Sequence, residues 1–452
     1  MRQRPLSLFF LRIAPPGLAA AGVLLGTAPR LAGADAPATP PVRPRPEQAA
    51  WQELGLAARV PFGLGPFLGT EMGRGHEDPA LFLPAEFDAR QWVRALRAGG
   101  ARLVILTAKQ RDGFCLWPSR WTEQSVKHSP WRHGRGDVIR EVALACREAG
   151  LRFGLEYALC DHHEPAASNP AAYDQFLQRQ LAELLTDYGP LTELWLDADC
   201  PLHGRKVTGR IDWRGLLRVA RHLQPQCLLA GAGPDIRSLP LTAVLRRDEE
   251  GSVWPLDPRA PWADEFAGRT ALWRPLERRA GLRPSLYYRA RENNRQRAVR
   301  QLLEWYQRTV GRNASLLLSV PVDARGLIPE PDVRRLAEFG AELRRRFGAP
   351  LAETSGAGRV VELKLDPARP AGAALAAEDL RGGERVRRFL LEGHAEGRWQ
   401  VLLEGRRLGS RQLVSFRPRP LDAVRVRVLE HAGAAPPRLR RLAVFPPPDA
   451  TP

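Results

Sequence analysis

The chain has 452 residues, 44% of them hydrophobic, and a formal net charge of +18. That is long enough for one large domain plus a smaller one, each with its own core. The charge invites a nucleic-acid reading, but only four of the 68 basic residues are Lys (Lys109, Lys127, Lys206, Lys364), and the Arg residues are spread along the whole chain. Without a basic stripe interleaved with aromatics we expect no nucleic-acid partner. The first 35 residues read as an export signal: basic "MRQRP", apolar "GLAAAGVLLG", then small residues in "LAGADA". Residues 36–50, with "PATPPVRPRP", read as a Pro-rich linker. No later segment reads as a membrane span.

From Ala58 short β-rich runs alternate with amphipathic helices. The expected strands are "ARVPFG" (from Ala58), "RLVILTA" (Arg102), "RFGLEYA" (Arg152) and "TELWLDA" (Thr192). "QCLLAGA" (Gln226), "TALWRP" (Thr270), "PSLYY" (Pro284) and "ASLLLSV" (Ala314) follow. Apolar residues spaced by three and four predict helices starting near Glu86, Gly136, Ala172, Asp212 and Arg295. Eight strands with intervening helices predict an α/β fold, a (β/α)₈-like barrel over 51–348, irregular near strands five and six. After Gly348 the pattern is β only. "RVVELKLD", "VRRFLLEGH", "RWQVLLEG", "QLVSFRP" and "AVRVRVLE" predict a C-terminal β-sandwich over 349–452. Five Cys (Cys115, Cys146, Cys160, Cys200, Cys227) leave at least one thiol unpaired, and single buried thiols are expected rather than a disulfide scaffold.

The frame "LTAKQRDGFCLWPS", the run "SVKHSPWRHGRGDVIRE", "LTDYGPLTELWLDA" and "VGRNASLLLSVPVDARGLI" together resemble the α-L-fucosidases of glycoside hydrolase family 29. The similarity runs from about Trp51 to the end. It implies a barrel followed by a β-sandwich and a retaining exo-glycosidase that uses two carboxyl groups and no metal or other cofactor. A retaining site needs one carboxylate to attack the sugar carbon and a second carboxyl to protonate the leaving oxygen, about 5–5.5 Å apart.

Carried over residue by residue, the nucleophile falls on Asp197 in "LWLDA", at a strand end, where barrel chemistry belongs. Lys109, Asp112, Trp117 and Trp131 match the family's pattern, and Trp117 and Trp131 either stack on a sugar or pack the loop. Other positions depart from it. Pro61 in "VPFG" and the pair Gln110–Arg111 replace residues that read sugar hydroxyls, and Met72 replaces a substrate-facing Trp. "GAGPDIRSLPLT" keeps Gly233, Asp235 and Arg237, but has Ser238 in place of a Trp and Thr242 in place of the acid/base. The replacement candidates for the acid/base are Glu277, expected at the end of strand six, and Glu249 and Glu250 in "RRDEEG".

Three readings follow. The first is a glycosidase acting on terminal fucose or a related sugar, the second a catalytically inactive relative that binds glycan. The third is a metal enzyme built on "CDHHE" (Cys160–Glu164) with Asp199, Cys200 and His203, whose spacing matches no zinc signature. The partner expected is a fucoside-like carbohydrate. The sequence leaves the oligomeric state open.

Overall fold

The computed structural model describes residues 41–200, 211–243 and 251–448, so the expected export signal, His203, Glu249 and Glu250 lie outside the described residues. The barrel strands are β1 (Leu56–Val60), β2 (Leu103–Lys109), β3 (Arg152–Ala158), β4 (Glu193–Asp197), β5 (Leu228–Gly231) and β6 (Arg237–Pro240). A short antiparallel hairpin, β7 (Val253–Pro255) with β8 (Ala271–Trp273), precedes β9 (Leu276–Gly281) and β10 (Ala314–Ser319). The eight-stranded sheet runs β5-β4-β3-β2-β1-β10-β9-β6 with every pair parallel. β5 and β6 are its two ends, so the barrel is nearly closed.

Two expected strands are corrected here. "TALWRP" supplies β8 of the hairpin and not a barrel strand, and residues 284–288 ("PSLYY") form no strand. The barrel uses "RSLP" (β6) and "LERRAG" (β9) instead. These segments look unlike strands because they are charged and lack β-branched residues. Inside the barrel their polar groups find partners, as Ser238 and Glu277 do in each other.

Helices cover the outside. They are α1 (Pro46–Leu54), the single turn α2 (Gly65–Leu68), α3 (Ala89–Ala98), α4 (Val138–Glu148), α5 (Pro170–Asp187), α6 (Trp213–Leu223), α7 (Val299–Arg308) and α8 (Glu330–Phe347). Asp88, Asp137, Asn169 and Asp212 cap α3, α4, α5 and α6 by accepting backbone N–H groups of the first turn. The linker reading is corrected in part, because α1 occupies its last five residues. Pro46 opens this helix, and Trp51 on its inner face donates Nε1–H to Glu193 at 2.7 Å. α1 thereby plugs the N-terminal end of the barrel. The interior above it holds Ala57, Leu103, Ile105, Trp195, Leu228, Ala230 and Leu317.

The C-terminal region is antiparallel, as expected. Its strands are β11 (Ala352–Ala357), β12 (Val360–Glu378), β13 (Val386–Ala395), β14 (Arg398–Gly405), β15 (Gln412–His431) and β16 (Arg438–Phe445), in the order β11-β16-β12-β15-β13-β14. The expected runs "QLVSFRP" and "AVRVRVLE" are one strand, β15, continuous through Pro418 and Pro420. β12 and β15 break register around Lys364–Arg369, and residues from both halves close on one core that includes Val361, Ala376, Phe389, Val426 and Leu442. The outer face, with Leu375, Leu413 and Phe445, packs on Tyr306 of α7 and Phe347 of α8.

Candidate active site

Inward-facing residues alternate along each barrel strand. On β4 they are Glu193, Trp195 and Asp197, which places Asp197 at the C-terminal mouth. Its Oδ2 accepts Nε–H and Nη2–H of Arg111, at 3.0 and 2.9 Å, and its Oδ1 accepts the backbone N–H of Asp199 at 3.1 Å. The Asp197 side chain is 15% exposed and that of Arg111 17%. Burial, then the nearby charge of Glu156, raise the Asp197 pKa, and Arg111 partly offsets them.

One level below Asp197 on the neighbouring strand, Glu156 is buried. It accepts Nε–H and Nη2–H of Arg59 at 2.7 and 2.6 Å and the hydroxyl of Thr107. Burial favours the neutral acid, but the charge of Arg59, the hydrogen bonds from Arg59 and Thr107 and the charge of Arg279 together outweigh it and hold Glu156 below the ordinary carboxylate range. Arg59 also donates to the Tyr287 hydroxyl at 3.2 Å. Arg279 lies over the Trp195 ring, 5.0 Å from its centroid. Reading the sequence missed Arg59, Glu156, Arg279 and Tyr287. For Arg59 and Glu156 the signal was present, since each is a lone charge at an inward position of an apolar strand.

The matched loop residues are mostly scaffold. Lys109 is buried and bonds Asp161 Oδ2 at 2.8 Å and Gln180 Oε1 at 3.1 Å, over the rings of Tyr157 and Phe176. Asp112 is buried and accepts the N–H groups of Gly73 and Phe114, and burial pushes its pKa up to about 6. Trp117 donates Nε1–H to Glu183 at 2.9 Å, and Trp131 packs edge-on to Phe82 and Phe87. Both Trp residues are buried in these packing contacts. Gln110 is 7% exposed beside Gly63, and its Oε1 accepts no hydrogen bond among the described residues.

The structure does not bring Glu277 to Asp197. Glu277 is the second residue of β9, near the N-terminal end, where it accepts the Ser238 hydroxyl and is fully buried beside Glu193. Glu193 and Asp197 are four residues apart on one strand, roughly 13 Å, with Trp195 between them. Glu193 and Glu277 lie side by side as a buried acid pair, and burial raises both pKa values. The pair holds a proton that the unfolded chain releases, so its contribution is present at low pH and lost as pH rises through the folded pKa. Glu277→Gln should therefore raise the melting temperature above neutral pH, with the gain vanishing below the ordinary carboxylate range. The pH profile of any hydrolysis should not move. Loss of the basic limb of that profile in Glu277→Gln would restore Glu277 as the proton donor. Thr242 is exposed in the turn after β6.

Cys160 and Cys200 form a disulfide, with Cα atoms 5.7 Å apart, joining the loop after β3 to the loop after β4. This corrects the expectation of single thiols for that pair. Cys115, Cys146 and Cys227 are buried and free. His162 lies near both bridged sulfurs, but zinc takes thiolates, and a disulfide offers none. The metal reading loses its sulfur ligands.

The comparisons agree with this architecture. The Alpha-L-fucosidase family model matches residues 75–346. Alpha-L-fucosidase 1 of Arabidopsis thaliana is 37% identical over 331 residues, covering 69% of this chain. That match spans 63% of the Arabidopsis protein's length. A glycoside hydrolase 29 family member from an unknown rumen bacterium superposes with a TM-score of 0.79 at 32% identity, over 91% of this chain and 79% of that one. With the barrel, the C-terminal antiparallel sheet and the carboxylate closing β4, these matches show that the chain belongs to the α-L-fucosidase family, glycoside hydrolase family 29.

Proposed function

We propose that the chain is an α-L-fucosidase-type retaining glycoside hydrolase that attacks a terminal fucose or related sugar of a glycan through Asp197, with no proton donor among the described residues. The observation that carries this reading is the Asp197 carboxylate, held at the C-terminal mouth of the barrel by Arg111 and the Asp199 N–H. The other carboxyls fit the donor role poorly. Glu156 is kept ionised by Arg59, Glu277 lies below Trp195, and the Thr242 hydroxyl is too weak an acid near neutral pH. Export to an oxidising compartment is part of the reading, and the Cys160–Cys200 disulfide supports it. Among the described residues no helix is long and apolar enough to cross a membrane.

A missing donor makes the rate depend on the leaving group. Hydrolysis should be confined to activated aryl α-L-fucosides, azide should speed breakdown of the glycosyl-enzyme, and Thr242→Glu should raise cleavage of an unactivated linkage by about 10²-fold or more. Efficient wild-type cleavage of an unactivated linkage, with a bell-shaped pH profile, would assign the donor to Glu249 or Glu250. The second reading is a glycan-binding protein without turnover. It is favoured by one observation, that both Asp197 oxygens are already engaged, Oδ2 by Arg111 and Oδ1 by the Asp199 N–H. Calorimetric binding of L-fucose with no release from any aryl fucoside would select it.

A further inference from the structure

We propose that the sugar taken by this site bears an anionic group, a carboxylate or a sulfate ester, and that Arg111 reads that group by leaving Asp197. The proposal rests on the Asp197 reading above and names its substrate class. Arg111 bonds Asp197 at the barrel mouth, Arg59 bonds Glu156 one level below, and Arg279 lies over the Trp195 ring at that lower level. Arg59 is committed to Glu156 through two short bonds. Arg279 stacks on Trp195, and its buried Nε–H has no acceptor among the described residues. Among the described residues the site thus keeps one guanidinium donor, the Arg279 Nε–H, that no carboxylate satisfies.

Arg111 is the member whose fork is least well matched by geometry. Both of its donated bonds go to the same oxygen, Asp197 Oδ2, at 3.0 and 2.9 Å. A guanidinium fork fits two oxygens of one planar or tetrahedral oxyanion better than a single oxygen. Its other ion-pair partner among the described residues, Asp199, is 3.8 Å away with a side chain 74% exposed. An incoming oxyanion can offer Arg111 the fork geometry that Asp197 does not.

Attack by Asp197 needs its oxygen free of Arg111. A neutral sugar gives the displaced guanidinium no replacement charge, whereas an anionic one does. Binding of the correct sugar would then release the nucleophile, so that recognition and reactivity are coupled through one side chain. The buried Gln110 Oε1 next to Arg111 is free to accept a hydroxyl of the same sugar.

The test is calorimetric binding of L-fucose, its mono-O-sulfates and its C6-carboxylate analogue to the wild-type chain and to Arg111→Gln. At least one anionic sugar should bind wild type about tenfold or more tightly than L-fucose, as expected for one charge-assisted pair. The preference should weaken with salt and disappear in Arg111→Gln. The sulfate and carboxylate arms separate the two sources of charge. Equal or weaker binding of every anionic sugar would overturn the proposal. Trapping with 2-deoxy-2-fluoro-α-L-fucosyl fluoride keeps the two readings apart. A label on Asp197 in Arg111→Ala upholds the nucleophile whatever the anion result, and no label on Asp197 in either protein overturns the nucleophile while leaving the anion preference to the calorimetry.

Discussion

Replacing Asp197 by Asn should abolish glycoside turnover, by a factor on the order of 10³–10⁶, while leaving the melting temperature nearly unchanged. Removing a covalent nucleophile deletes the step itself, and residual activity then reflects only binding and positioning. Asn keeps one oxygen to accept the Asp199 N–H; the amide NH2 that replaces Oδ2 cannot accept from Arg111, but Arg111 is partly exposed and can turn to water, so the local fold is preserved. The pH dependence carries a sign. The nucleophile must be ionised, and burial and Glu156 raise its pKa, so activity should fall on the acid side at a higher pH than an ordinary aspartate gives. Arg111 works against that rise, and Arg111→Gln should move the acid limb further up. Near wild-type turnover in Asp197→Asn would sink the assignment.

Lys109→Met should destabilise the chain by about 3–5 kcal/mol, because it strands a buried partner charge. Lys109 and Asp161 are both almost fully buried, with 2.8 Å between them. Asp161 also accepts the N–H groups of His163 and Glu164, and so anchors the loop after β3. Denaturant midpoints read the loss. The double variant Lys109→Met with Asp161→Asn removes both charges together and should recover much of it. A Lys109→Met protein of normal stability with a raised KM for an aryl fucoside would instead make Lys109 a sugar contact.

The local patterns were legible where one face of an element is apolar and its ends are capped. "FDARQWVRALRAGG" and "GDVIREVALACREAG" carry both signals and became α3 and α4 with Asp88 and Asp137 as caps. The first four strands and the β-only C-terminal region were readable from short β-rich runs bounded by turn signals, while the place of the nucleophile on Asp197 came from the family resemblance. "LERRAG" and "RSLP" were not, since buried charge is tolerated only when a partner from a distant segment satisfies it. Ser238 and Glu277 lie 39 residues apart.

The sequence by itself determined the alternation of strands and helices, the two-part organisation and the carboxylate at the end of the fourth strand, because periodicity and capping are local. Tertiary structure alone decided which charges meet. Only the nearly closed barrel shows that Glu277 sits beside Glu193, four residues before Asp197 on β4, that Glu156 is paired with Arg59, that Cys160 is bridged to Cys200, and that Arg111 lies on Asp197. These pairings join residues tens of positions apart, and their energies depend on distance and burial, neither of which a linear pattern encodes.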